Sequence, residues 1–486
     1  MKNKYCNRFL SVQVLLLVLI PLFTAPRPTE ASGKPWITAY VGGWWFGSDN
    51  NGFLPIDSIN FKGMTVIDHM AVLPLTKAPF IDTALVNNWV TNSMFLSNSL
   101  KLTAAAHAAG VKCTFTIGAW GTQSKFLFAT TPSNLPVFVG NLVSFLKNRG
   151  YDGIDIDWEP LSATDTTQYK NFIIALRDSL PSPYIISVTC GWGSPYGVFA
   201  SIQNYVDQIN IMTYDFDTDA PGYNSWYAAA VYSAGVVDPY DNKTPVVSCD
   251  YLVNLYEQAG VKPSKLGIGC EPGGCLWTGI SGANQSISTV TSFTPDVSYN
   301  TIMKDYYQPN LYHWDSGAKA SYLSYDTTDT ASDWFLSYDD TTAMKAKLSY
   351  IDSAGIGGMI FYEIGMSYDD TTGANPYLDV TQRYLEGVSA VKESSERIPL
   401  TPFLSQNYPN PFNPTTRIDY SISKRGYVSL AVYNVLGQKI ATLFSGVEVP
   451  GDYTATFDGS RFASGVYFYR LQAGSSVLTR KLVLVK

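Results

Sequence analysis

The sequence predicts an α/β protein: a (β/α)8 TIM barrel with an insertion before the last strand, followed by a C-terminal all-β sandwich. Short, near-continuous apolar runs alternate with amphipathic helical stretches through the first 365 residues. That pattern is typical of a parallel sheet covered by helices on both faces. After residue 400, segments of alternating polarity are separated by Gly-containing turns, which favours a small antiparallel sandwich.

Shifts in composition along the 486 residues predict the domain boundaries. Residues 1–31 combine Lys and Arg, a short apolar run and small residues, the pattern of a secretory signal peptide. We expect the barrel over residues 33–388 with its insertion at about 285–338, a linker over 389–400, and the sandwich over 401–486. Beyond the signal peptide no segment reaches transmembrane length, so the sequence predicts no membrane span.

Eight apolar, β-rich runs are the predicted barrel strands. They are Trp36–Val41, Thr65–Leu73, Lys112–Gly118, Gly153–Glu159, Tyr184–Cys190, Gln208–Tyr214, Lys265–Cys270 and Gly358–Tyr362. The predicted helices between them include Asn98–Ala109, Val137–Asn148, Thr167–Leu180 and Thr341–Ala354. Nearly ninety residues separate the last two strands, and this long gap predicts the inserted subdomain.

The run DGIDIDWE at residues 152–159 contains four carboxylates interleaved with large apolar side chains. In a strand, Asp155, Asp157 and Glu159 share one face, and the apolar residues share the other. Acids about 7 Å apart on one face repel each other and resist ionising together. Because a sheet gains no stability from that repulsion, the run predicts acid–base chemistry. The alternatives are a metal site or a solvated edge strand, although calcium loops carry their ligands on turn-forming residues.

This run resembles the active-site signature of glycoside hydrolase family 18, the chitinases and their relatives. The resemblance implies that Glu159 is the general acid, that Asp157 orients the acetamido group of the substrate, and that Asp155 shares a proton with Asp157 and helps to raise the pKa of Glu159. Asp152 and Gly153 complete the motif. Family 18 is an exception to the two-carboxylate scheme of retaining glycosidases, because the N-acetyl group of the substrate serves as the nucleophile.

A second motif, Met-Thr-Tyr-Asp at residues 212–215, follows the sixth predicted strand and resembles the Met-x-Tyr-Asp of the same family. By that resemblance, Tyr214 donates its hydroxyl to the acetamido carbonyl, while Met212 and Asp215 line the −1 subsite. The family's eighth-strand Trp is replaced by Tyr362, which can still stack on a sugar over a smaller area.

Other candidate positions match the family less specifically than these two motifs. Tyr40 ends the first strand, where the family often places a Tyr facing the −1 sugar. Thr116–Ala119 departs from the family's Ser-x-Gly-Gly in the third strand, and its role is interpreted as structural. Several tryptophans follow predicted strands, and each is either packing or a sugar platform, with Trp120 taken as the candidate for substrate binding. They are Trp44, Trp45, Trp120, Trp192, Trp226 and Trp277.

The charge distribution excludes some ligand classes. The formal net charge is −7, yet residues 400–486 carry nine Lys/Arg against four Asp/Glu, so the rest of the chain is more acidic than the whole. An acidic main domain argues against nucleic acid as a partner. Neutral carbohydrate, including chitin and other uncharged glycans that contain N-acetylglucosamine, is compatible with it.

The histidines and cysteines predict neither a metal nor a cofactor. The three His are scattered without ligand spacing. Of the five cysteines that follow the signal peptide, Cys270 and Cys275 are the expected disulfide bridge in an oxidising compartment.

The C-terminal segment resembles a different family from the one that the barrel resembles. The QNYPNPFNPTT opening at residue 406, the steps at Tyr433–Gly437 and Ser464–Tyr467, and the terminal run Lys481–Lys486 resemble the C-terminal sorting domain of type IX secretion. That resemblance implies the secretion machinery as a partner, and a location that is secreted or on the outer surface of a bacterium. A carbohydrate-binding sandwich is the alternative, although the segment contains no Trp.

Together these features predict a secreted chitinase that cleaves β-1,4-N-acetylglucosaminide bonds in endo fashion, with retention and substrate assistance. An endo-β-N-acetylglucosaminidase acting on N-glycans or peptidoglycan is the alternative within the enzyme class. A non-catalytic chitin-binding lectin is the alternative outside it, and the intact Glu159 argues against that reading.

Overall fold

The structure is a computed structural model. It describes residues 35–46, 54–82, 96–217, 222–370, 372–387, 403–407, 409–422, 426–448, 451–474 and 476–485. The predicted signal peptide (1–31) and linker (389–400) lie outside these residues. The chain forms two compact units, Met1–Val388 and Ser389–Lys486, and each is described by itself.

Eight parallel strands in the first unit form a closed barrel, because the first strand pairs with both the second and the eighth. In chain order, the first to eighth barrel strands are Trp36–Gly42, Val66–Pro74, Lys112–Ala119, Gly153–Trp158, Ile185–Cys190, Gln208–Ile211, Leu266–Cys270 and Gly358–Phe361. A short strand, Ile81–Asp82, pairs antiparallel with the end of the second. The predicted barrel is confirmed, and the largest difference is that the sixth strand ends at Ile211 rather than Tyr214.

Alternation along the fourth strand separates the helix-facing side from the barrel interior. Ile154, Ile156 and Trp158 are buried, and the Trp158 ring stacks on Phe126 of the neighbouring helix at a centroid distance of 4.5 Å. The alternate residue Asp155 faces inward, where it bonds to side chains of other strands. The strand therefore buries its apolar side under the helices and presents its acids to the barrel axis.

Glycines let the third, fourth and fifth strands approach closely. A Cβ on Gly153 would lie 2.3 Å from the carbonyl oxygen of Ile185, and a Cβ on Gly118 would lie 2.0 Å from that of Asp157. Gly118 also has a φ of 116°, a conformation that L-residues rarely adopt. Any larger residue at these positions would displace the strand that carries the acids.

Helices cover the outside of the barrel. The helices of seven or more residues are Leu96–Ala108, Gln123–Ala129, Leu135–Arg149, Thr166–Ser179, Tyr196–Ile202, Cys249–Gln258, Thr341–Ala354 and Pro376–Leu385. The helix Thr341–Ala354 has the predicted bounds because Asp340 caps the N–H groups of Thr342 and Ala343 and Gly355 ends it in the left-handed conformation.

An antiparallel five-stranded sheet is inserted between the seventh and eighth barrel strands. Its strands are Gly273–Thr278, Ser292–Ser298, Tyr312–Asp315, Ala320–Tyr325 and Trp334–Tyr338. It has a core of its own, in which Trp277 stacks on Phe335 with ring centroids 5.3 Å apart. The sequence predicts the insertion at about residues 285–338, and the sheet itself begins at Gly273.

The second unit is all-β. One sheet has the strands Phe403–Leu404, Thr415–Ile422 and Gly451–Asp458, and the other has Gly426–Tyr433, Lys439–Glu448, Gly465–Ala473 and Ser476–Leu484. Apolar residues from both sheets, including Ile418, Leu430 and Leu471, form one buried cluster. This agrees with the predicted sandwich.

Across the described parts of both units, no helix combines the length and apolarity that crossing a membrane requires.

Candidate active site

Asp155 is a buried carboxylate that accepts hydrogen bonds from three hydroxyl groups on the first and fifth strands. Tyr40 on the first strand donates to its Oδ2 at 3.1 Å, and Ser187 on the fifth donates to its Oδ1 at 2.6 Å. Thr189 donates to Oδ2 at 3.4 Å. Burial raises the pKa of Asp155 to about 6, while the bonds from Ser187, Tyr40 and Thr189 oppose that rise. Asp155 is therefore a buried acid that is equipped to carry a negative charge.

Asp157 lies one step further along the same face and is only 7% exposed. Among the described residues its Oδ1 is buried and has no hydrogen-bond partner. Burial, then repulsion from Glu159 and Asp155, raises the pKa of Asp157 well above its usual value. Because Asp155 accepts several hydroxyl donors and Oδ1 of Asp157 accepts none among the described residues, the surroundings stabilise a negative charge on Asp155 better than on Asp157.

Glu159 follows directly on the last residue of the fourth strand and is half-buried. Its backbone carbonyl accepts hydrogen bonds from the N–H groups of Thr122 (3.0 Å) and Gln123 (3.2 Å). These bonds tie the end of the strand to the loop that follows the third strand. The structure thus brings Asp155, Asp157 and Glu159 together in a row that leads out of the barrel.

Aromatic rings and Met212 border this row. The ring of Tyr214 stacks on Tyr362, with centroids 5.9 Å apart and planes 16° apart, and Tyr362 meets the ring of Tyr40 edge-on at 6.1 Å. Met212 packs into the same cluster. Burial raises the pKa of the Tyr214 hydroxyl well above its usual value, so it stays a hydrogen-bond donor at neutral pH. Five sequence-predicted residues on four different strands or their ends therefore meet: Tyr40, Asp157, Met212, Tyr214 and Tyr362.

Asp152 lies at the other end of the fourth strand, away from this row. Its carboxylate contacts His107 at 2.7 Å and accepts from Lys112 at 2.9 Å and from the backbone N–H of Cys113 at 2.9 Å. Burial works to raise its pKa, but these three partners lower it below the usual value. Asp152 therefore anchors the start of the strand.

Glu363, which follows the eighth strand, is a further buried acid at the site that no sequence motif predicts. Its carboxylate accepts from the backbone N–H of Gly42 at 2.8 Å and from the indole N–H of Trp44 at 3.2 Å. Burial raises its pKa to about 7, and these bonds work against that rise. Glu363 thereby holds the loop after the first strand beside Tyr362. The sequence contained one signal for this residue, which is an acid directly after a predicted barrel strand.

A group of acids near Tyr214 was also missed. In the part of the chain that the structure describes, carboxylate oxygens of Asp215, Glu271 and Asp296 lie within 4.8 Å of one another. Asp215 and Asp296 are exposed and Glu271 is buried. Burial and then repulsion from Asp215 raise the pKa of Glu271 well above its usual value. Carboxylates at this spacing have the geometry to hold a cation. No local pattern predicts this group, because Asp296 belongs to the inserted sheet.

The tryptophans divide into packing and exposed residues. Trp226 and Trp277 are buried in the core of the insertion, so their packing interpretation holds. Trp120 is 46% exposed and Trp192 is 54% exposed. They follow the third and fifth strands, which flank the fourth strand on either side.

The expected bridge between Cys270 and Cys275 is wrong, because all five cysteines of the described chain are free and buried. Cys270 belongs to the core of the barrel, whereas Cys275 belongs to the separate core of the insertion. The two cysteines are close in sequence, but their side chains pack into different clusters.

Comparison with known proteins supports both resemblances noted in the sequence. Residues 41–367 match the sequence model of the glycosyl hydrolases family 18, and residues 406–486 match that of the secretion system C-terminal sorting domain. Chitinase A1 of Niallia circulans is 26% identical over 438 residues, which cover 74% of this chain and 61% of that protein. The chain thus spans less than two thirds of the length of that relative.

Solved structures share the fold at lower identity. A Group IV chitinase of Ostrinia furnacalis superposes with a TM-score of 0.60 at 18% identity, covering 73% of this chain and 100% of that one. A chitinase-like agglutinin of Robinia pseudoacacia superposes with a TM-score of 0.56 at 20% identity, covering 72% and 99%. The fold is thus similar to that of a chitinase and to that of an agglutinin, and only the site residues can separate the two functions.

Proposed function

Because the chain belongs to family 18 of the glycosyl hydrolases, we propose that it is an endo-acting chitinase that cleaves β-1,4-N-acetylglucosaminide bonds with retention of configuration. We propose residues 33–388 as its catalytic domain. The observation that carries the proposal is the buried Oδ1 of Asp157, which has no partner among the described residues and lies between Asp155 and Glu159 in the row. Buried polar atoms are normally bonded, so an unpartnered acceptor fits a donor that arrives with the substrate.

The first step uses Glu159 and the substrate itself. Glu159 gives its proton to the glycosidic oxygen, and the carbonyl oxygen of the N-acetyl group attacks C1 as the bond from C1 to that oxygen breaks. The sugar chain on the leaving side departs as an alcohol, and the bound sugar becomes an oxazolinium ion. Asp157 accepts the acetamido N–H at its open oxygen, which aligns the group. Asp155 and Asp157 share one proton in this mechanism, and the negative charge left on the pair offsets the developing positive charge.

The second step reverses the proton transfer. Glu159, now ionised, takes a proton from water, and that water attacks C1 and opens the oxazolinium ring. Two inversions at C1 return the β-configuration. Tyr214 donates its hydroxyl to the acetamido carbonyl oxygen throughout, and its neutral phenol is suited to that role.

The surroundings of Glu159 favour a polymeric substrate. Exposed Trp120 and Trp192 border the strand of Glu159 on both sides and offer flat faces to sugars on the leaving side. The inserted sheet begins at Gly273, shortly after the seventh strand, and its Asp296 lies close to Asp215, the residue after Tyr214. Exposed aromatic platforms and an inserted sheet beside the site fit internal cleavage of a long chain.

The second unit carries the secretion function. It matches a secretion sorting domain, and the protein is secreted or lies on the outer surface of a bacterium. We propose that the unit engages the secretion machinery as its partner.

Product analysis tests the proposed activity. The purified full chain is incubated with chitin oligomers and, in parallel, with a high-mannose glycopeptide, and fresh products are followed by proton NMR. We expect β-anomers from the chitin oligomers before mutarotation, formed by internal cleavage. Initial α-anomers would contradict substrate assistance. Cleavage of the glycopeptide alone would select the endo-β-N-acetylglucosaminidase alternative, and binding without cleavage would select the lectin.

A further inference from the structure

Three acids from separate parts of the barrel unit meet beside Tyr214. Asp215 follows Tyr214 in the loop after the sixth strand, Glu271 follows the seventh strand, and Asp296 belongs to the inserted sheet. Carboxylate oxygens of this acid cluster lie within 4.8 Å of one another. Because like charges at such distances repel each other, the cluster needs either a positive partner or a shared proton.

Glu271 is the buried member of the acid cluster, and its carboxylate has no hydrogen-bond partner among the described residues. The residue is only 5% exposed. Its backbone N–H donates to Asp339 at 3.3 Å, while its carboxylate is directed at Asp215 and Asp296. Buried polar groups are normally hydrogen-bonded, so a buried carboxylate without a donor indicates that a ligand binds there.

The charges around Glu271 are negative. After burial, the carboxylates of Asp215, Asp296, Asp217 and Asp339 raise its pKa. Of these four, Asp339 is neutralised by a buried lysine at 2.5 Å. Asp215 and Asp296 are exposed, so the acid cluster opens to solvent on their side. A small cation can enter there and reach Glu271, where its charge offsets the repulsion among the acids.

We propose that Asp215, Glu271 and Asp296 bind one calcium ion, which joins the inserted sheet to the ends of the sixth and seventh barrel strands. Calcium takes oxygen ligands at about 2.3–2.6 Å, so two ligand oxygens of one ion lie at most about 5 Å apart. The 4.8 Å limit of the acid cluster falls within that span. Magnesium holds its ligands at about 2.0–2.1 Å and needs a tighter set. Water completes the calcium coordination on the exposed side.

The backbone at the two exposed acids is unusual. A bulge interrupts the pairing of the strand Ser292–Ser298 next to Asp296, which has a φ of 57°. Asp215 has a φ of 54°. Side chains other than glycine adopt this left-handed conformation at an energetic cost. An ion bound by both residues offsets that cost and holds Asp215 in place at the edge of the predicted −1 subsite.

Calorimetric titration of the full chain with CaCl2 tests the site. The protein is first treated with EDTA and dialysed, and the titration is made at about pH 8, because calcium binds the ionised carboxylates. We expect one ion per chain with a Kd of about 10⁻⁴–10⁻³ M, as in other extracellular calcium sites. MgCl2 should bind at least about tenfold more weakly.

Two variants assign the binding to the acid cluster. Glu271→Gln removes the buried charge with little change of shape, and Asp296→Asn removes an exposed charge, so the second should fold even where the first does not. Each should weaken calcium binding at least about tenfold, because the charge of the ligand set determines affinity. Asp305→Asn is the matched control, since Asp305 is an exposed acid of the insertion that lies outside the cluster. Its Kd should equal that of the wild type.

Thermal unfolding provides a second readout. A ligand that binds only the folded protein stabilises it by mass action, so about 10 mM CaCl2 should raise the Tm of the wild type by at least about 2 °C. In EDTA, Glu271→Gln should be at least as stable as the wild type, because the acids then repel each other less. Calcium should raise the Tm of this variant much less than that of the wild type.

The outcomes decide the proposal without any substrate. Calcium binding that both variants lose and the control keeps supports the site. Wild-type affinity in either folded variant would place the ion elsewhere and overturn the proposal. A wild type that binds no calcium would also overturn it and assign the acid cluster to proton sharing. Because these readouts do not depend on hydrolysis, a protein that binds calcium but cleaves no glycan would refute only the proposed function.

Discussion

The hydroxyl of Tyr40 on the first barrel strand donates to Oδ2 of Asp155 on the fourth strand, over 3.1 Å across the barrel interior. These two strands are not neighbours in the sheet, so the bond spans the axis of the barrel. It stabilises the charged form of Asp155. In the proposed mechanism, where Asp155 and Asp157 share a proton, the bond therefore also affects Asp157 and Glu159.

Tyr40→Phe removes this donor while keeping the ring. We expect the pKa of Asp155 to rise, so the acid limb of the pH profile of kcat should move to higher pH, with kcat falling about tenfold at its optimum. Steady-state kinetics between pH 4 and 9 measure both effects. An unmoved acid limb would show that the bond has no part in setting the charge of Asp155.

Asp157→Asn replaces the carboxyl group that faces the acetamido group with a neutral amide that cannot share a proton with Asp155 and has nearly the same shape. We expect kcat to fall by about 10²–10³-fold with a much smaller change in KM, because the lost interaction strengthens in the transition state. Kinetics on chitin oligomers give the two constants separately. A rise in KM at constant kcat would instead assign Asp157 to ground-state binding.

Tyr362 is expected to form the floor of the −1 subsite through its contact with Tyr214. Tyr362→Ala should raise KM for chitin oligomers about tenfold, because a stacking face is lost. Tyr362→Trp enlarges that face and serves as the counterpart, which should match or improve on wild-type binding. Equal KM values in all three proteins would exclude a sugar at this ring.

Trp192 and Trp120 are expected to bind the leaving side of the polymer. Trp192→Ala and Trp120→Ala should each raise KM about fivefold for long oligomers and leave dimeric chromogenic substrates nearly unaffected. Tyr427→Ala is the matched control, since this tyrosine is also well exposed but belongs to the second unit. A similar loss on short and long substrates would show that the tryptophans do not form distant subsites.

Lys347 and Asp339 form a fully buried ion pair at 2.5 Å, and Lys347 also donates to the carbonyl of Gly269 at 2.7 Å. Lys347→Met leaves Asp339 buried without its counter-charge and should destabilise the barrel unit by about 3–5 kcal/mol. Urea unfolding followed by tryptophan fluorescence measures the loss. The double variant with Asp339→Leu should recover part of it, and a double variant that is less stable still would contradict the ion-pair explanation.

The sequence was sufficient for the barrel because its parallel strands are buried on both sides and appear as apolar runs. The row from Asp155 to Glu159 was also readable, since alternation along one strand fixes which side chains share a face. Closeness in sequence did not predict a disulfide bridge correctly for Cys270 and Cys275, because their side chains pack into different cores.

Groups of residues from distant parts of the chain could not be predicted either, because local sequence patterns do not show which distant segments meet. Asp296 reaches Asp215 and Glu271 only through the path of the inserted sheet, which no local pattern reports. Asp68 is a single acid inside the strand Val66–Pro74, but its bonds to Thr114 and Thr116 depend on the register of the neighbouring strand, which no local pattern reports.

The most direct test of the account is the kcat of Glu159→Gln on an N-acetylglucosamine oligomer, measured together with the Kd of the same oligomer by calorimetry. Glutamine matches the size of glutamate but has no proton to give to the glycosidic oxygen. We expect kcat to fall by at least about 10²-fold while Kd and the thermal midpoint stay close to wild type. A variant that retains a near-wild-type kcat would contradict the assignment of Glu159 as proton donor.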